Sequence, residues 1–440
     1  MSTRLYDIIV YGATGFTGKR VAKHLIQTHP TLKVAISGRD LPKLTTVANE
    51  IGLSPTHILL APTTDQNLLI QALSQAQLVI ACAGPYRHFG SALVQAAIAA
   101  QTDYLDLCGE PQFFDDMLAQ YDAAARTNRT LVISACAFDC VPAELTAKLA
   151  CRELKNKYDS TPVTNLEVVH TFEHISCGNP TTFHAAVDGF HAAITGELKE
   201  SREKVKQVLK LKRAPACPAA WPKFVNSPGT SPVYHPETNT YLLKFMGADA
   251  ACILASDRYL RYTSSMSSST SSNSISSSRE EPIPPHPRMS VCFGVPSKSA
   301  AYKILAYGGI FSTLARFKYG CKLLHANPEL FTNGFFREGG PTEEEMALST
   351  FKTYCSAYGM SREQCVKVTC EGPEPGYVAT PKIIVALALT VLKHRDGIPF
   401  EGGVMVPGVA FGECDEAYNM LRKEGIVIEV VNEEGADGGV

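Results

Sequence analysis

The sequence predicts an α/β protein in which a doubly wound parallel sheet is followed by a second, mixed α/β domain. Two observations lead to this fold class. In the N-terminal third of the chain, short apolar segments rich in β-branched residues alternate with segments of helical periodicity. From Asn165 onward the apolar segments become longer and the regular alternation stops. This change in pattern marks the start of the second domain.

Several segments of the N-terminal third have the length and composition of buried strands. They are residues 6–10, 33–36, 57–60, 78–82, 104–107 and 130–134. Helical segments such as 41–51 and 91–100 separate them. Because each strand is followed by a helical crossover, we expect a parallel sheet of these strands with helices on both faces.

At 440 residues the chain exceeds what one hydrophobic core usually serves. We therefore divide it into an N-terminal sheet domain at 1–150, an α/β substrate and dimerisation domain at 151–375, and a C-terminal helix–strand return at 376–440 that packs on the first domain. The middle domain contains an insert at 263–287 that is mostly serine and then proline-rich. Such a segment cannot bury enough apolar surface to offset its chain entropy, so we expect a disordered loop.

The net charge argues against a nucleic-acid partner, and the spacing of the cysteines and histidines argues against a metal site. The formal net charge is −2 and no basic run is interleaved with aromatic residues, so we expect no nucleic-acid partner. The 14 cysteines are scattered along the chain, as is typical of the reducing cytosol, and Cys136 and Cys140 lack zinc-site spacing. His170 and His174 lie on a predicted strand, roughly 13 Å apart, which is too far to share an ion. We predict no metal site.

A glycine-rich turn follows the first strand and opens the first helix, with the spacing GxxGxxG. In this position the turn lets the backbone approach a pyrophosphate at the positive end of the helix, as in Rossmann-type dinucleotide sites. The expected cofactor-binding residues are Gly12, Ala13, Thr14, Gly15, Phe16, Thr17, Gly18, Ser37, Arg39, Ala83, Gly84 and Pro85.

Arg39 follows the second strand at the place where NAD-binding proteins usually carry an acidic residue for the ribose 2′-hydroxyl. A guanidinium at this place pairs with the 2′-phosphate of NADP. We therefore expect NADP as the cofactor. Asp40, the next residue, leaves NAD open as the alternative.

Polar side chains also follow the fourth, fifth and sixth strands, namely Tyr86, Glu110 and Asp139. The carboxyl ends of parallel strands meet at one edge of the sheet, where the nicotinamide half of the cofactor lies. These residues are therefore the candidate catalytic groups. Each has a structural alternative: Tyr86 can simply stack, and Glu110 and Asp139 can cap the helices that follow them.

Residues 300–317 are unusually apolar and aromatic and are flanked by basic side chains. The stretch contains Lys303 and two glycines, which favours contact with a membrane surface over a spanning helix. A buried helix or hairpin is the alternative, because aromatic stripes usually pack inward.

Five motifs together resemble the saccharopine dehydrogenase-like oxidoreductases, in particular the branch of the trans-acting enoyl reductases and the lipid-droplet saccharopine dehydrogenase-like protein. They are YGATGFTG at 11–18, AGPY at 83–86, YLDLCGE at 104–110, FDCVP at 138–142 and GPEPGY at 372–377. The resemblance implies a Rossmann domain, a nicotinamide cofactor in the cleft between two domains, and lipid-linked substrates in one branch. It also suggests a cytoplasmic protein that is peripheral on a lipid droplet or membrane, and it leaves a homodimer open.

These observations lead to the hypothesis of an enzyme that transfers a hydride from NADPH to an enoyl or carbonyl group of an apolar, lipid-linked substrate. The alternative is a lipid-droplet or membrane-associated protein that keeps a nucleotide-binding fold without turnover. Consumption of NADPH with an enoyl lipid distinguishes the two.

Overall fold

The computed structural model describes residues 4–159, 161–210, 217–225, 227–270 and 285–431, with the backbone alone at 264–270. Its described residues contain two seven-stranded sheets. Helices cover both sheets, which confirms the predicted α/β class.

The first sheet contains the predicted N-terminal strands. They are β1 (Tyr6–Tyr11), β2 (Val34–Gly38), β3 (Ile58–Leu60), β4 (Ala76–Ala81), β5 (Asp103–Asp106) and β6 (Leu131–Ile133). The helices after them are α1 (Phe16–Thr28), α2 (Leu41–Ile51), α3 (Gln66–Leu73), α4 (Tyr86–Ala100), α5 (Pro111–Thr127) and α6 (Val141–Lys157). The strand order reverses between β1 and β4, and this is where dinucleotides bind in doubly wound sheets.

The strands in the rest of the chain are β7 (Asn165–Glu173), β8 (Val233–His235), β9 (Thr240–Lys244), β10 (Arg288–Val295), β11 (Thr350–Tyr358), β12 (Cys365–Pro373), β13 (Gly403–Met405) and β14 (Val427–Val430). β13 pairs in parallel with β6 and becomes the seventh strand of the first sheet. The others form the second sheet, in the order β14-β12-β11-β7-β10-β9-β8. In this sheet β7 and β10 run parallel, and the remaining pairs are antiparallel.

The helices of this part are α7 (Pro180–Thr195), α8 (Glu197–Val208), α9 (Asp249–Thr270), α10 (Lys298–Leu314), α11 (Lys318–Ala326), α12 (Pro328–Phe331), α13 (Glu343–Leu348), α14 (Thr380–Lys393), α15 (Pro407–Ala410) and α16 (Asp415–Lys423). Among the described residues one stretch, Pro375–Lys393, is long and apolar enough to cross a bilayer. Its apolar window is 78% buried inside the fold, which is the pattern of a core helix.

The structure adds detail to two expectations about the later part of the chain. The return at 376–440 contributes β13 to the first sheet, and it also contributes β14 to the second sheet. The insert at 263–287 begins inside α9, which is helical through Thr270, and His286 contacts Asp257 near its end. Residues 271–284 of the insert lie outside the described part of the chain. The division into three domains stays a prediction.

Candidate cofactor and active site

The turn after β1 has a shape that requires glycine. Gly12 has φ +81°, and a Cβ on it would lie 2.9 Å from the backbone nitrogen of Ala83. A Cβ on Gly18 would lie 2.3 Å from the carbonyl oxygen of Gly12. These close approaches pack the turn against the loop after β4 and seat α1 directly on the turn, so a phosphate can reach the backbone.

The N-terminus of α1 faces the space above this turn. Its N-cap is Gly15, which has no side chain to accept from the first amides of the helix. Thr14 and Gly15 are exposed, whereas Ala13 is buried beneath them. Open amides at the positive end of a helix fit a pyrophosphate, so the turn suits the expected dinucleotide.

The end of β2 carries the side chain that would recognise the 2′-position of the cofactor's ribose. Arg39 is exposed, and its guanidinium carbon lies 5.9 Å from the centre of the Phe89 ring. Asp40 accepts a hydrogen bond from the amide of Lys43 (3.0 Å) and thereby caps α2. The exposed guanidinium of Arg39 is a charge that can pair with a 2′-phosphate.

Two other expected cofactor residues have contacts of their own. Ser37 is fully buried and its hydroxyl donates to the carbonyl of Leu59 (2.8 Å), so its side chain holds β3 and does not face the turn. The Phe16 ring packs edge-on against Tyr377, with ring centres 4.8 Å apart. Phe16 therefore joins the glycine turn to the GPEPGY segment of the second half.

Ala83, Gly84 and Pro85 form the loop after β4, beside Gly12. Gly84 is exposed and Pro85 is the N-cap of α4. This backbone lies at the carboxyl edge of the sheet, as expected for the nicotinamide side of the cofactor.

Tyr86 and Glu110 have structural partners. The buried Tyr86 hydroxyl donates to the carbonyl of Ala81 (2.8 Å) and accepts from the amide of Leu107 (3.1 Å), and burial raises its pKa well above its usual value. Glu110 accepts from the amide of Tyr86 (2.8 Å) and from Nε of Arg87 (3.1 Å). The carboxylate thus caps α4, not the helix that follows it. These contacts do not support a proton-donor role for either side chain.

Asp139 is placed differently. It is partly exposed, and its two carboxyl oxygens lie 2.8 and 2.7 Å from where a Cβ on Gly109 and on Gly247 would be. The carboxyl group therefore sits between the loop after β5 and the loop after β9. Loss of hydration and the neighbouring Asp249 raise the pKa of Asp139 to about 8. A hydrogen bond from the amide of Ala248 acts in the opposite direction and lowers this pKa.

A buried histidine and a second aspartate stand behind Asp139. His170 on β7 pairs through Nδ1 with the hydroxyl of Thr353 (2.8 Å), and its Nε2 lies 3.3 Å from Asp249 Oδ1. Burial lowers the pKa of His170 to about 4, so the imidazole is neutral at physiological pH. Burial also raises the pKa of Asp249 well above its usual value.

Aromatic rings line the same place. Phe138, Phe172 and Phe245 are each partly exposed. The ring of Phe245 lies 5.1 Å and that of Phe138 5.8 Å from the imidazole of His170, measured between centres. Phe245 and the carboxyl group of Asp139 both lie against Gly247, so the carboxyl group has an aromatic ring beside it.

The sequence interpretation missed this cluster. The sequence pattern identifies His170 only as a possible metal ligand together with His174, and it gives no role to Asp249. A period-two pattern on β7 places His170 on the same face as Phe172, which would have indicated a histidine facing an aromatic surface. The sequence carries no comparable signal for Asp249, because its approach depends on how α9 packs against the second sheet.

Comparison with known proteins supports the cofactor site. Residues 8–133 match the family model described as the saccharopine dehydrogenase NADP binding domain. A solved structure of apo saccharopine dehydrogenase (L-Glu forming) from Saccharomyces cerevisiae has the same fold, with a TM-score of 0.54 at 11% identity, covering 97% of this chain and 100% of that chain. Fold and site thus define an NADP-dependent oxidoreductase.

Relatives extend the likeness to the whole chain. A saccharopine dehydrogenase-like oxidoreductase of Mus musculus is 28% identical, with 98% of each chain covered. A lipid droplet localized protein of Caenorhabditis elegans is 27% identical, covering 97% of this chain and 99% of its own. A putative trans-acting enoyl reductase of Mycobacterium tuberculosis is 37% identical over 32% of this chain and 34% of its own. These likenesses bear out the predicted resemblance to the saccharopine dehydrogenase-like oxidoreductases.

Proposed function

We propose that this protein uses NADPH to reduce an enoyl or carbonyl group of an apolar, lipid-linked substrate, and that Asp139 supplies the proton. The observation that carries the proposal is a carboxyl group with a pKa of about 8 at the carboxyl edge of the first sheet, beside aromatic rings of the second. The names of the mycobacterial and nematode relatives point to the same substrate class.

Bound NADPH supplies the hydride. Asp139 keeps its proton at neutral pH and gives it to the carbonyl oxygen, or to the carbon next to the carbonyl of an enoyl substrate, as the hydride adds. The substrate thereby gains one hydride and one proton, and the Asp139 carboxylate takes a proton back from solvent. Loss of hydration, the largest cause of the shift, outweighs the lowering effect of His170 and keeps the pKa of Asp139 raised.

The test follows NADPH oxidation by the purified full chain with enoyl and carbonyl lipids. We expect Asp139→Asn to lower kcat about 10²- to 10⁴-fold, the usual range for loss of a general acid, with little change in NADPH affinity. Tyr86→Phe is the matched comparison, since it removes a hydroxyl that is bonded to backbone. Unchanged turnover in Asp139→Asn, or an equal loss in Tyr86→Phe, would contradict the assignment.

The rate should also depend on pH with a defined sign. The protonated form of Asp139 is the active one, so kcat is level below about pH 8 and falls about tenfold per unit above it. This fall of kcat at high pH should be absent in Asp139→Asn. A rate that instead rises through pH 8 would indicate a general base and overturn the proton-donor role.

We also propose that α10 and the start of α11 rest on a lipid surface. Ile310, Phe317 and Tyr319 are exposed, the last two by 62% and 87%. Exposed cations at Lys303, Arg316, Lys318 and Lys322 accompany them. Apolar side chains mixed with cations match the headgroup region of an anionic lipid layer.

Phe311 takes no part in this surface. Its ring packs against Phe183 and Phe190 at 5.7 and 5.4 Å between centres, so its replacement would damage the fold. The test is flotation with phosphatidylcholine vesicles with and without phosphatidylserine. Replacing Ile310, Phe317 and Tyr319 by serine should abolish binding, whereas Leu348→Ser, an equally exposed apolar residue elsewhere, should not. Equal binding by both variants would refute this surface.

A further inference from the structure

A second group of titratable side chains lies away from the cofactor site. His24 is in the last turns of α1, His29 follows that helix, and Glu424 follows α16. The Nε2 atoms of the two imidazoles face different oxygens of the same carboxylate, at 2.7 Å for His24 and 2.8 Å for His29. Residues about 400 positions apart in the chain are thus directed at one point.

We propose that His24, His29 and Glu424 bind one divalent transition-metal ion, with zinc as the physiological ion. The ligands would be Nε2 of each histidine and the carboxylate, and water would complete a tetrahedral shell. Two imidazoles and one carboxylate are a known zinc donor set. Imidazole nitrogen selects such an ion over magnesium or calcium, which prefer oxygen ligands.

The distances allow this shell with small side-chain rotations. The three ligand atoms all lie within 4.8 Å of one another. Bonds of about 2.0–2.1 Å at tetrahedral angles separate ligand atoms by roughly 3.3 Å. The carboxylate oxygens must therefore move slightly away from the imidazoles, and the imidazoles toward each other. Both histidines retain side-chain exposure of 17% and 22%, which leaves room for this motion and for a water ligand.

The backbone around the cluster is fixed. The amide of His29 donates to Leu25 (2.9 Å), and that of Glu424 donates to Leu421 (3.1 Å). The nearby Lys382 ammonium bonds to the backbone carbonyl of Glu424 at 2.9 Å and leaves the carboxylate to the imidazoles. Ligands on a fixed backbone lose little conformational entropy when they bind an ion, and this favours ion binding.

The position suggests what the ion does. The 13-residue helix α1 places the cluster roughly 15–20 Å from the glycine turn, so the ion lies far from the reacting atoms. It would connect α1 of the first sheet to the C-terminal α16–β14 segment, which pairs with the second sheet. We therefore assign it a structural role that adds stability through binding to the folded chain alone.

The experiment uses the full chain stripped with EDTA and titrated with Zn²⁺ or Co²⁺. We expect one ion per chain by equilibrium dialysis, the visible absorption of tetrahedral Co²⁺, and a higher thermal midpoint with Zn²⁺ than without. His29→Gln and Glu424→Gln should weaken binding at least tenfold. His174→Gln is the control, because it removes an exposed histidine outside the cluster.

The alternative is a metal-free network in which the imidazoles simply donate to the carboxylate. In that case Zn²⁺ leaves the thermal midpoint unchanged, and dialysis finds no saturable ion or the same ion content in His29→Gln as in His174→Gln. Either result overturns the proposal. Glu424→Gln can also weaken the fold, so His24→Gln, which keeps the carboxylate, provides a second variant checked by circular dichroism.

Discussion

Removing the guanidinium of Arg39 should change the choice between the two nicotinamide cofactors. Among the described residues Arg39 forms no salt bridge, so Arg39→Ala breaks no ion pair within the fold. Charge-assisted hydrogen bonds contribute about 1.5–3 kcal/mol, and solvent at this exposed position weakens them. We therefore expect NADPH binding to weaken roughly 10- to 30-fold and NADH binding to change less than about threefold.

The assay is a pair of titrations, with NADPH and with NADH, at fixed ionic strength because the contact is ionic. Lys33→Ala removes an exposed cation before the opposite end of the same strand and serves as the matched control. Adding Gly38→Asp to Arg39→Ala should invert the preference. A Cβ at Gly38 meets Leu44 at an ordinary 3.7 Å, so the substitution creates no clash at the Cβ. Equal weakening of both cofactors by Arg39→Ala would show that the arginine stacks on adenine and does not read the phosphate.

Two further sequence changes and one pH titration test the stability of the fold. Gly18→Ala places a Cβ 2.3 Å from the carbonyl oxygen of Gly12. Calorimetry should therefore show that the free energy of unfolding falls by about 1–3 kcal/mol, and NADPH binding should fail. Near-normal NADPH binding would show that the turn can relax. Deleting residues 271–278, six of which are serine, should leave the thermal midpoint within a few degrees, since such a composition offers little apolar surface to bury; insoluble protein would contradict this. The raised pKa of Asp139 means that the folded chain holds an extra proton between about pH 4 and 8, so the free energy of unfolding should fall as pH rises through that window, and the slope should flatten in Asp139→Asn.

Features that depend on local chain geometry could be predicted from the sequence. Six of the seven strands of the first sheet follow from short apolar segments, and the glycine turn follows from a spacing that close backbone approaches at Gly12 and Gly18 require. The position of Arg39 after the second strand follows from the length of one βα unit. In each case the residues that interact are close in sequence or are related by the regular geometry of parallel strands.

Features that depend on packing across the chain could not be predicted. The sequence suggests that Glu110 caps the helix beginning at Pro111, yet its carboxylate turns back to α4. Phe311 and Phe317 belong to one apolar run, but one packs inward and the other is exposed. Likewise, no spacing rule brings Glu424 to His24. Such contacts depend on which elements meet, and a single sequence does not encode that in any short pattern.

The chain order explains why the cofactor is easier to identify than the substrate. Each residue predicted to bind the cofactor lies between Gly12 and Pro85, within the segment that matches the NADP-binding family model. Asp139 follows β6 at the last strand of that segment, and α6 alone separates it from β7, which carries His170. The proton donor that we propose is therefore held by the first sheet, while the aromatic rings beside it come mostly from the second. On this proposal, changes in the second sheet can alter the substrate and leave cofactor binding intact, so we expect the apolar surface around Phe172 and Phe245, and not the nucleotide motif, to set substrate specificity.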